Sequence, residues 1–358
     1  MHSTIRHGVF ALAMALAVSG TPLSAQMETE APPLVAGAPK VELQRITVHS
    51  PAIAGNLEGE TAERRVIVVL PPSYARESAR RYPVIYALHG YSIDPEQWIN
   101  EIRVPQTVEG ALGKGGREMI LVLPDSKTVH NGSMYSSSQT TGDFETFIAR
   151  DLVAYIDSHY RTLAQRESRG LVGHSMGGYG ATRIGMKHAD VFGALYLMSA
   201  CCLSARDAGP VDEKSNATLA ALKTPAESAS LNFILRAQLA VAAAWSPNPR
   251  KPPLYLDLPV ENGAVRKDVL AKWAANAPLS FVDQYIGNLR RYRAISMDVG
   301  DQDGLRTDMK TLHEVLESYG IANSFEVYAG THTSRVAYRF QDNVLPFFSS
   351  NLVFEPMP

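Results

Sequence analysis

Cysteine is nearly absent: the 358-residue chain holds two, and they are the neighbours Cys201 and Cys202. Adjacent cysteines close no long loop, so a disulfide framework is excluded, and the pair reads as two buried thiols at the end of a strand rather than a strained vicinal bridge. An excess of charge is also missing. With 34 basic against 36 acidic residues, no basic surface is available to attract nucleic acid, and a small molecule becomes the expected ligand. Metal-binding spacings of the H-E-x-x-H type do not occur, and "GKGG" at 113 to 116 lacks the Ser or Thr and the longer frame of a phosphate loop, so no cofactor or metal is implied. No internal repeat is found. Nor does any apolar run reach the roughly 20 residues that span a bilayer.

The one apolar stretch near the start, Val9 to Val18, follows Arg6 and precedes small residues. It is about half a membrane span, and the pattern of residues 1–25 predicts a secretory signal peptide rather than a stable membrane anchor. No cysteine follows it, which argues against a lipid anchor. Its removal would leave 33 basic against 36 acidic residues. A periplasmic or secreted protein is expected. Residues 26–40, rich in Pro, Ala and Glu and without periodicity, predict a disordered lead-in.

What remains, residues 41–358, reads as one domain, since 45% hydrophobic content supplies a sizeable core. Short runs that are apolar on nearly every residue recur at 64–70, 83–90, 118–125, 170–175, 194–202, 293–300 and 324–330, as strands covered on both faces require. Between them, Phe144, Phe147, Ile148, Leu152, Tyr155 and Ile156 form one helical stripe, and Met309, Leu312, Val315, Leu316 and Tyr319 form another that ends at Gly320. A last helix is expected over 336–352. The alternation predicts an α/β fold with a mostly parallel sheet and helices on both faces. Residues 203–291 depart from it, with Pro-rich breaks among Ala-rich helices, and read as a cap-like insertion over the carboxyl edge, part of it ordinary crossover.

Within that frame, Gly173-His174-Ser175-Met176-Gly177 fits the G-x-S-x-G turn. A strand ends at His174 and a helix can start at Met176, so the serine sits on a strained turn where glycines at 173 and 177 avoid clashes; Gly178 and Gly180 would seat the helix. A serine hydroxyl needs a base, and the base an orienting acid, in the chain order Ser, acid, His. Three histidines follow Ser175. His188 reads as a helix cap and His313 as a half-buried helix residue, whereas His332 stands in a loop after a strand and is the candidate base. Asp298, Asp301 and Asp303 are the candidate acids. Asp298 falls within a strand and reads as structural; Asp303 is preferred to Asp301 on spacing, and the choice between them stays open. The oxyanion needs two N–H donors, each worth about 3 kcal/mol. Met176 should provide one at the helix start, and Tyr91, after Gly90, the other. His89 reads as a brace for that loop.

These residues, with "RRVIVVLPPSY", "RYPVIYALHGYS", "GDFETFIARDLVAYIDSHYRT", "GLVGHSMGGYGA", "DVGDQDGL" and "GTHTSRVAYRFQDNVLPFF" in that order, resemble the Putative esterase family of α/β-hydrolases. That family takes in feruloyl and acetyl xylan esterases, S-formylglutathione hydrolase, enterochelin esterases and mycolyltransferases. The resemblance implies an α/β-hydrolase fold, Ser175 as nucleophile, His332 as base, Asp303 as acid, and Met176 and Tyr91 as oxyanion donors. It also suggests that residues 131–144 line the site, with Tyr135 and Gly90 near the substrate. Export argues against a cytosolic formaldehyde-detoxifying thioesterase. The expected activity is an exported serine carboxylesterase on a small-molecule or carbohydrate-linked ester. An acyltransferase with the same triad, a serine peptidase and a non-catalytic binding protein on this fold are the alternatives. Oligomeric state and natural substrate lie beyond the sequence.

Overall fold

The computed structural model describes residues 29–205 and 213–357; the expected signal peptide lies outside them. The main sheet has strands β1 (Glu42–His49), β2 (Glu63–Leu70), β3 (Val84–Leu88), β4 (Ile120–Pro124), β5 (Arg169–His174), β6 (Ala194–Met198), β7 (Ala294–Gly300) and β8 (Ser324–Tyr328). Their spatial order is β1-β2-β4-β3-β5-β6-β7-β8. β2 is antiparallel to β1 and β4, and every later pairing is parallel.

Alternation of side chains across the sheet divides the core in two. Val84, Tyr86 and Leu88 of β3 face Phe144, Phe147 and Ile184, while Ile85 and Ala87 face Trp98, Phe340 and Phe348. Strands β3 to β6 are buried on every residue, as the apolar runs predict. β8 is not: it closes an edge of the sheet, so Ser324, Glu326 and Val327 are exposed. At the other edge β1 lies outside the predicted runs, because its one covered face leaves most of its residues polar or half-exposed.

The helix over 144–159 forms with Phe144, Phe147, Ile148, Leu152 and Ile156 buried. A wide π turn at Phe147–Asp151 rotates the later residues, and Tyr155 is left stacked on His159 at 3.9 Å. Met309, Leu312 and Leu316 are buried in the helix Arg306–Ser318, which ends before Gly320 at φ +68°. The last helix runs over 336–351 with a second π turn at Phe340–Val344.

The lead-in is a correction. From Thr29 onward it is tied down, the Glu30 amide donating to the Ser334 carbonyl (2.9 Å) and the Glu30 carboxylate pairing with Arg335 (2.7 Å). Further on, Lys40 pairs with Glu109 (2.7 Å). Absence of periodicity excludes a helix or strand here, but not a docked extended segment.

The insertion carries helices Glu213–Ala220, Phe233–Trp245 and Lys267–Asn276 around a small core of Leu219, Leu239 and Leu256. Trp245 joins it to the main core, edge-on to Trp273 and tilted against Tyr179. The short helix Ile286–Leu289 then leads back to β7 alongside the helix Met176–Lys187.

Asp298 of β7 is wholly buried, accepting from Tyr196 Oη (2.8 Å) and Arg339 Nε (2.8 Å), and Glu326 shares the same guanidinium. Burial raises the Asp298 carboxyl above its ordinary value against the pull of Arg339. Removing one member of such a pair strands the other without compensation. Asp298→Ala should therefore cost about 3–5 kcal/mol in urea unfolding, while turnover per folded molecule stays near wild type.

Candidate active site

The parallel registers align the carboxyl ends of four strands. Leu88 of β3 pairs with Gly173 of β5, His174 with Met198 of β6, and Met198 with Asp298 of β7. The loops carrying Gly90, Ser175, Asp303 and His332 consequently leave one edge of the sheet, where ligands bind in open α/β sheets.

Ser175 joins β5 to the helix Met176–Lys187 at φ +57°, ψ −116°. Its amide donates to the Met198 carbonyl (3.1 Å), and its carbonyl accepts from the amides of Tyr179 (3.0 Å) and Cys201 (3.1 Å). So tight a turn leaves no room beside it. A Cβ at Gly173 would overlap the Gly177 carbonyl, and one at Gly177 would overlap the Leu88 carbonyl of β3. Gly178 lies against the Met198 carbonyl and Ala200, as helix seating requires, whereas Gly180 makes room for the Tyr135 ring instead.

The turn aims Ser175 Oγ at His332, whose Nε2 lies 2.9 Å away. His332 Nδ1 in turn lies 2.8 Å from Asp303 Oδ2. Asp303 Oδ1 accepts from the Leu305 amide (2.9 Å). Burial pushes this carboxyl up, but the hydrogen bond and charge of His332 and the Leu305 amide outweigh it and hold it below its ordinary value. Asp301 points elsewhere: it is exposed and its Oδ1 accepts from the Gly330 amide (2.9 Å). The preference for Asp303 thus agrees with the geometry. His313 and His188 are remote from the serine, the first on Asn323 Oδ1 (2.7 Å) and stacked against Phe325, the second beside Glu145 (3.5 Å).

The motif leaves the position of His174 variable and gives it no role, yet its ring holds the backbone of His332, the candidate base. Its Nε2–H donates to the His332 carbonyl (2.8 Å), and the two rings lie 4.8 Å apart. Burial, reinforced by the His332 ring, holds the His174 pKa down at about 3, so the imidazole is neutral near pH 7 and that nitrogen keeps its proton.

Met176 begins the helix behind the serine, and Tyr91 follows Gly90 in the loop after β3. Gly90 faces the nucleophile, since a Cβ on it would meet Ser175 Cβ at 3.5 Å. His89 braces this loop, with Nδ1 on the Gly90 carbonyl (2.8 Å) and Nε2 accepting from the Ser126 amide (2.9 Å). Tyr135 requires correction. It is wholly buried, packs on Gly180 and donates from Oη to the His89 carbonyl (3.0 Å), so it props the loop from behind and does not face a substrate. Residues 132–136 around it are buried too. Cys201 and Cys202 are half-buried just after β6, with Cys202 Sγ 2.8 Å from Cys201 Sγ, rather than fully buried as the sequence suggests.

Comparison with known proteins gives the family and the fold. The family model described as Putative esterase matches residues 60–345. An esterase of Mycobacterium tuberculosis is 32% identical over 160 residues, 44% of this chain and 33% of the relative. An endo-1,4-beta-xylanase/feruloyl esterase of Xylanibacter ruminicola is 25% identical over 136 residues, 37% of this chain and 19% of that one. The chain thus spans a third or less of the length of these curated relatives. Among solved structures, a ferulic acid esterase shares the fold with a TM-score of 0.62 at 23% identity, over 87% of this chain and 98% of the other. A ferulic acid esterase of Anaeromyces mucronatus does so at 0.52 and 19%, over 94% and 100%.

His174→Ala should lower kcat about tenfold, a loss of one hydrogen bond to the base loop worth about 1.4 kcal/mol. Because the buried ring does not titrate near neutrality, His174→Gln should leave every break of the pH–rate profile between about pH 5 and 9 where it is. A displaced break would show that His174 itself exchanges protons in the reaction. Gly177→Ala, by contrast, should yield little folded protein by circular dichroism.

Proposed function

The chain belongs to the Putative esterase family, and from that premise we propose that it is an exported serine carboxylesterase acting on small-molecule or carbohydrate-linked esters. The observation that carries the reading is the continuous chain Ser175 Oγ, His332 Nε2, His332 Nδ1, Asp303 Oδ2, with its two links at 2.9 and 2.8 Å. Export rests on the signal-like residues 1–25. The substrate class rests on relatives named as esterase and feruloyl esterase.

Ser175 attacks the ester carbonyl while His332 Nε2 takes its proton, and Asp303, ionised, orients the imidazole and stabilises its protonated form. Negative charge then gathers on the former carbonyl oxygen. The amide of Met176, at the positive end of its helix, and that of Tyr91 would accept this charge. His332 returns the proton to the departing alcohol, which breaks the ester C–O bond and leaves the acyl group on Ser175. Water, deprotonated by His332, attacks that acyl-enzyme, and the acid leaves as Ser175 recovers its proton.

Ser175→Ala should lower kcat for p-nitrophenyl acetate by at least about 10³-fold; retained turnover in that variant would overturn the serine mechanism. Asp303→Asn should cost about 10⁴-fold through loss of the correct tautomer, against less than about twofold for Asp301→Asn. Asp303 also makes stability depend on pH. Its folded pKa lies below its unfolded one, so its contribution is present above about pH 4 and is lost as pH falls through the folded value. Wild type should accordingly lose more stability than Asp303→Asn between pH 4 and pH 2, measured as the shift in Tm.

A further inference from the structure

Residues 129–131 stand between the cap and the loop that carries Tyr91, and three sets of contacts meet there. From below, the turn over 56–60 sends up two carboxylates. Glu58 Oε1 lies 2.7 Å from His130 Nε2, with both side chains fully buried, and Glu60 Oε1 accepts from the Val129 amide (2.6 Å). From the cap, Ser228 Oγ lies 2.8 Å from His130 Nδ1 and donates to the Val129 carbonyl (3.3 Å), which also accepts from Arg236 Nη2 (2.6 Å). Toward the active site, the His130 carbonyl accepts from Tyr91 Oη (2.9 Å), and the Asn131 carbonyl accepts from the Ser92 amide (3.0 Å). The cap also reaches Tyr91 directly, through the Phe233 ring edge-on at 5.2 Å.

A carboxylate and an imidazole taken out of water depend on each other, and losing either partner leaves the other at high cost; Glu58 Oε1 and His130 Nε2 meet in contact, without an aligned hydrogen bond. The pair here braces no catalytic group of its own. Its ring joins the cap through Ser228, and its backbone carbonyl fixes the side chain of Tyr91. His89 holds the Gly90 carbonyl of the peptide before Tyr91 (2.8 Å), and the Tyr91 Oη and Ser92 amide contacts fix the residue that follows it; together they aim the Tyr91 amide, as an oxyanion donor must be aimed before the reaction begins.

We infer that Glu58, His130, Ser228 and Arg236 are positioning residues that tie the seating of the cap to the orientation of the Tyr91 amide. The inference rests on the proposed role of that amide. Cap docking and oxyanion stabilisation are then one event. A cap lifted from Val129 and His130 loosens Tyr91 Oη's anchor and leaves the amide held only from the His89 side, so that its aim blurs, while Ser175, His332 and Asp303 keep their hydrogen bonds.

The test uses a trifluoromethyl ketone, which forms the tetrahedral adduct on Ser175 and reports the oxyanion site by its Ki, a quantity independent of the fraction of protein that is folded. Ser228→Ala and Arg236→Ala should each raise Ki about tenfold and lower kcat for p-nitrophenyl acetate by the same factor, with KM within twofold. His130→Gln should do more, and Glu58→Gln, which keeps a partner for the ring, less than Glu58→Ala. Log Ki should follow log(KM/kcat) across the series with a slope near one. Unchanged Ki in the Ser228 and Arg236 variants would overturn the inference, whether or not kcat falls. If wild type forms no adduct with the ketone, or forms one that Ser175→Ala does not abolish, it is the serine mechanism that fails, and the two failures are distinguishable.

Discussion

One backbone turn governs this molecule. At φ +57° and ψ −116°, Ser175 occupies a conformation that costs about 1–3 kcal/mol and persists only where its surroundings over-determine it. They do so from both sides. β6 supplies the carbonyl of Met198 to the Ser175 amide, and the Ser175 carbonyl is held by Tyr179 and Cys201. β3 crowds the turn so closely that the Leu88 carbonyl occupies the space a Cβ on Gly177 would need. Parallel strands of matched length, buried on both faces, make that confinement available. The hydroxyl then stands clear of its own helix, opposite the two loops that bring Asp303 and His332.

Around that turn, burial sorts the ionisable groups by task. Asp303 is buried yet held ionised by His332 and a backbone amide. His174 is pushed neutral, which makes it a permanent donor to the loop of the base. Asp298, only five residues before Asp303, is locked under Arg339 and Tyr196 and serves the sheet. Two carboxylates and an imidazole thus differ by what each touches, and in the proposed mechanism they serve as orienting acid, structural anchor and fixed donor.

Much of this is legible in the sequence, for physical reasons. Strands covered on both faces must be apolar on nearly every residue, which makes β2 to β7 visible; β8 is also legible as the run over 324–330 although the edge leaves it exposed, and only β1, at the other edge, is missed. The strained turn demands glycine at 173 and 177 and so announces Ser175. Chain order and loop position single out His332, and a spacing three residues past Gly300 favours Asp303. What the sequence conceals is tertiary. Nothing in "NGSMYSSSQTTGDF" distinguishes a tyrosine facing substrate from one buried under a loop, and Tyr135 proves to be the second because Gly180, 45 residues away, leaves it a slot. The pairing of Glu58 with His130, and of His130 with Ser228, joins three distant segments and follows no spacing. The described part of the lead-in likewise gains its order from a surface that only the folded chain presents.

The proposed chemistry requires Ser175 to carry the acyl group. It is tested most directly by rapid acid quench of the protein with a slowly hydrolysed aryl ester, followed by peptide mapping in a mass spectrometer. One added acyl mass should form on the peptide containing Ser175 within the first turnover of wild type and be absent in Ser175→Ala. An adduct on any other residue, or hydrolysis in the Ser175→Ala variant at the wild-type rate, would contradict it.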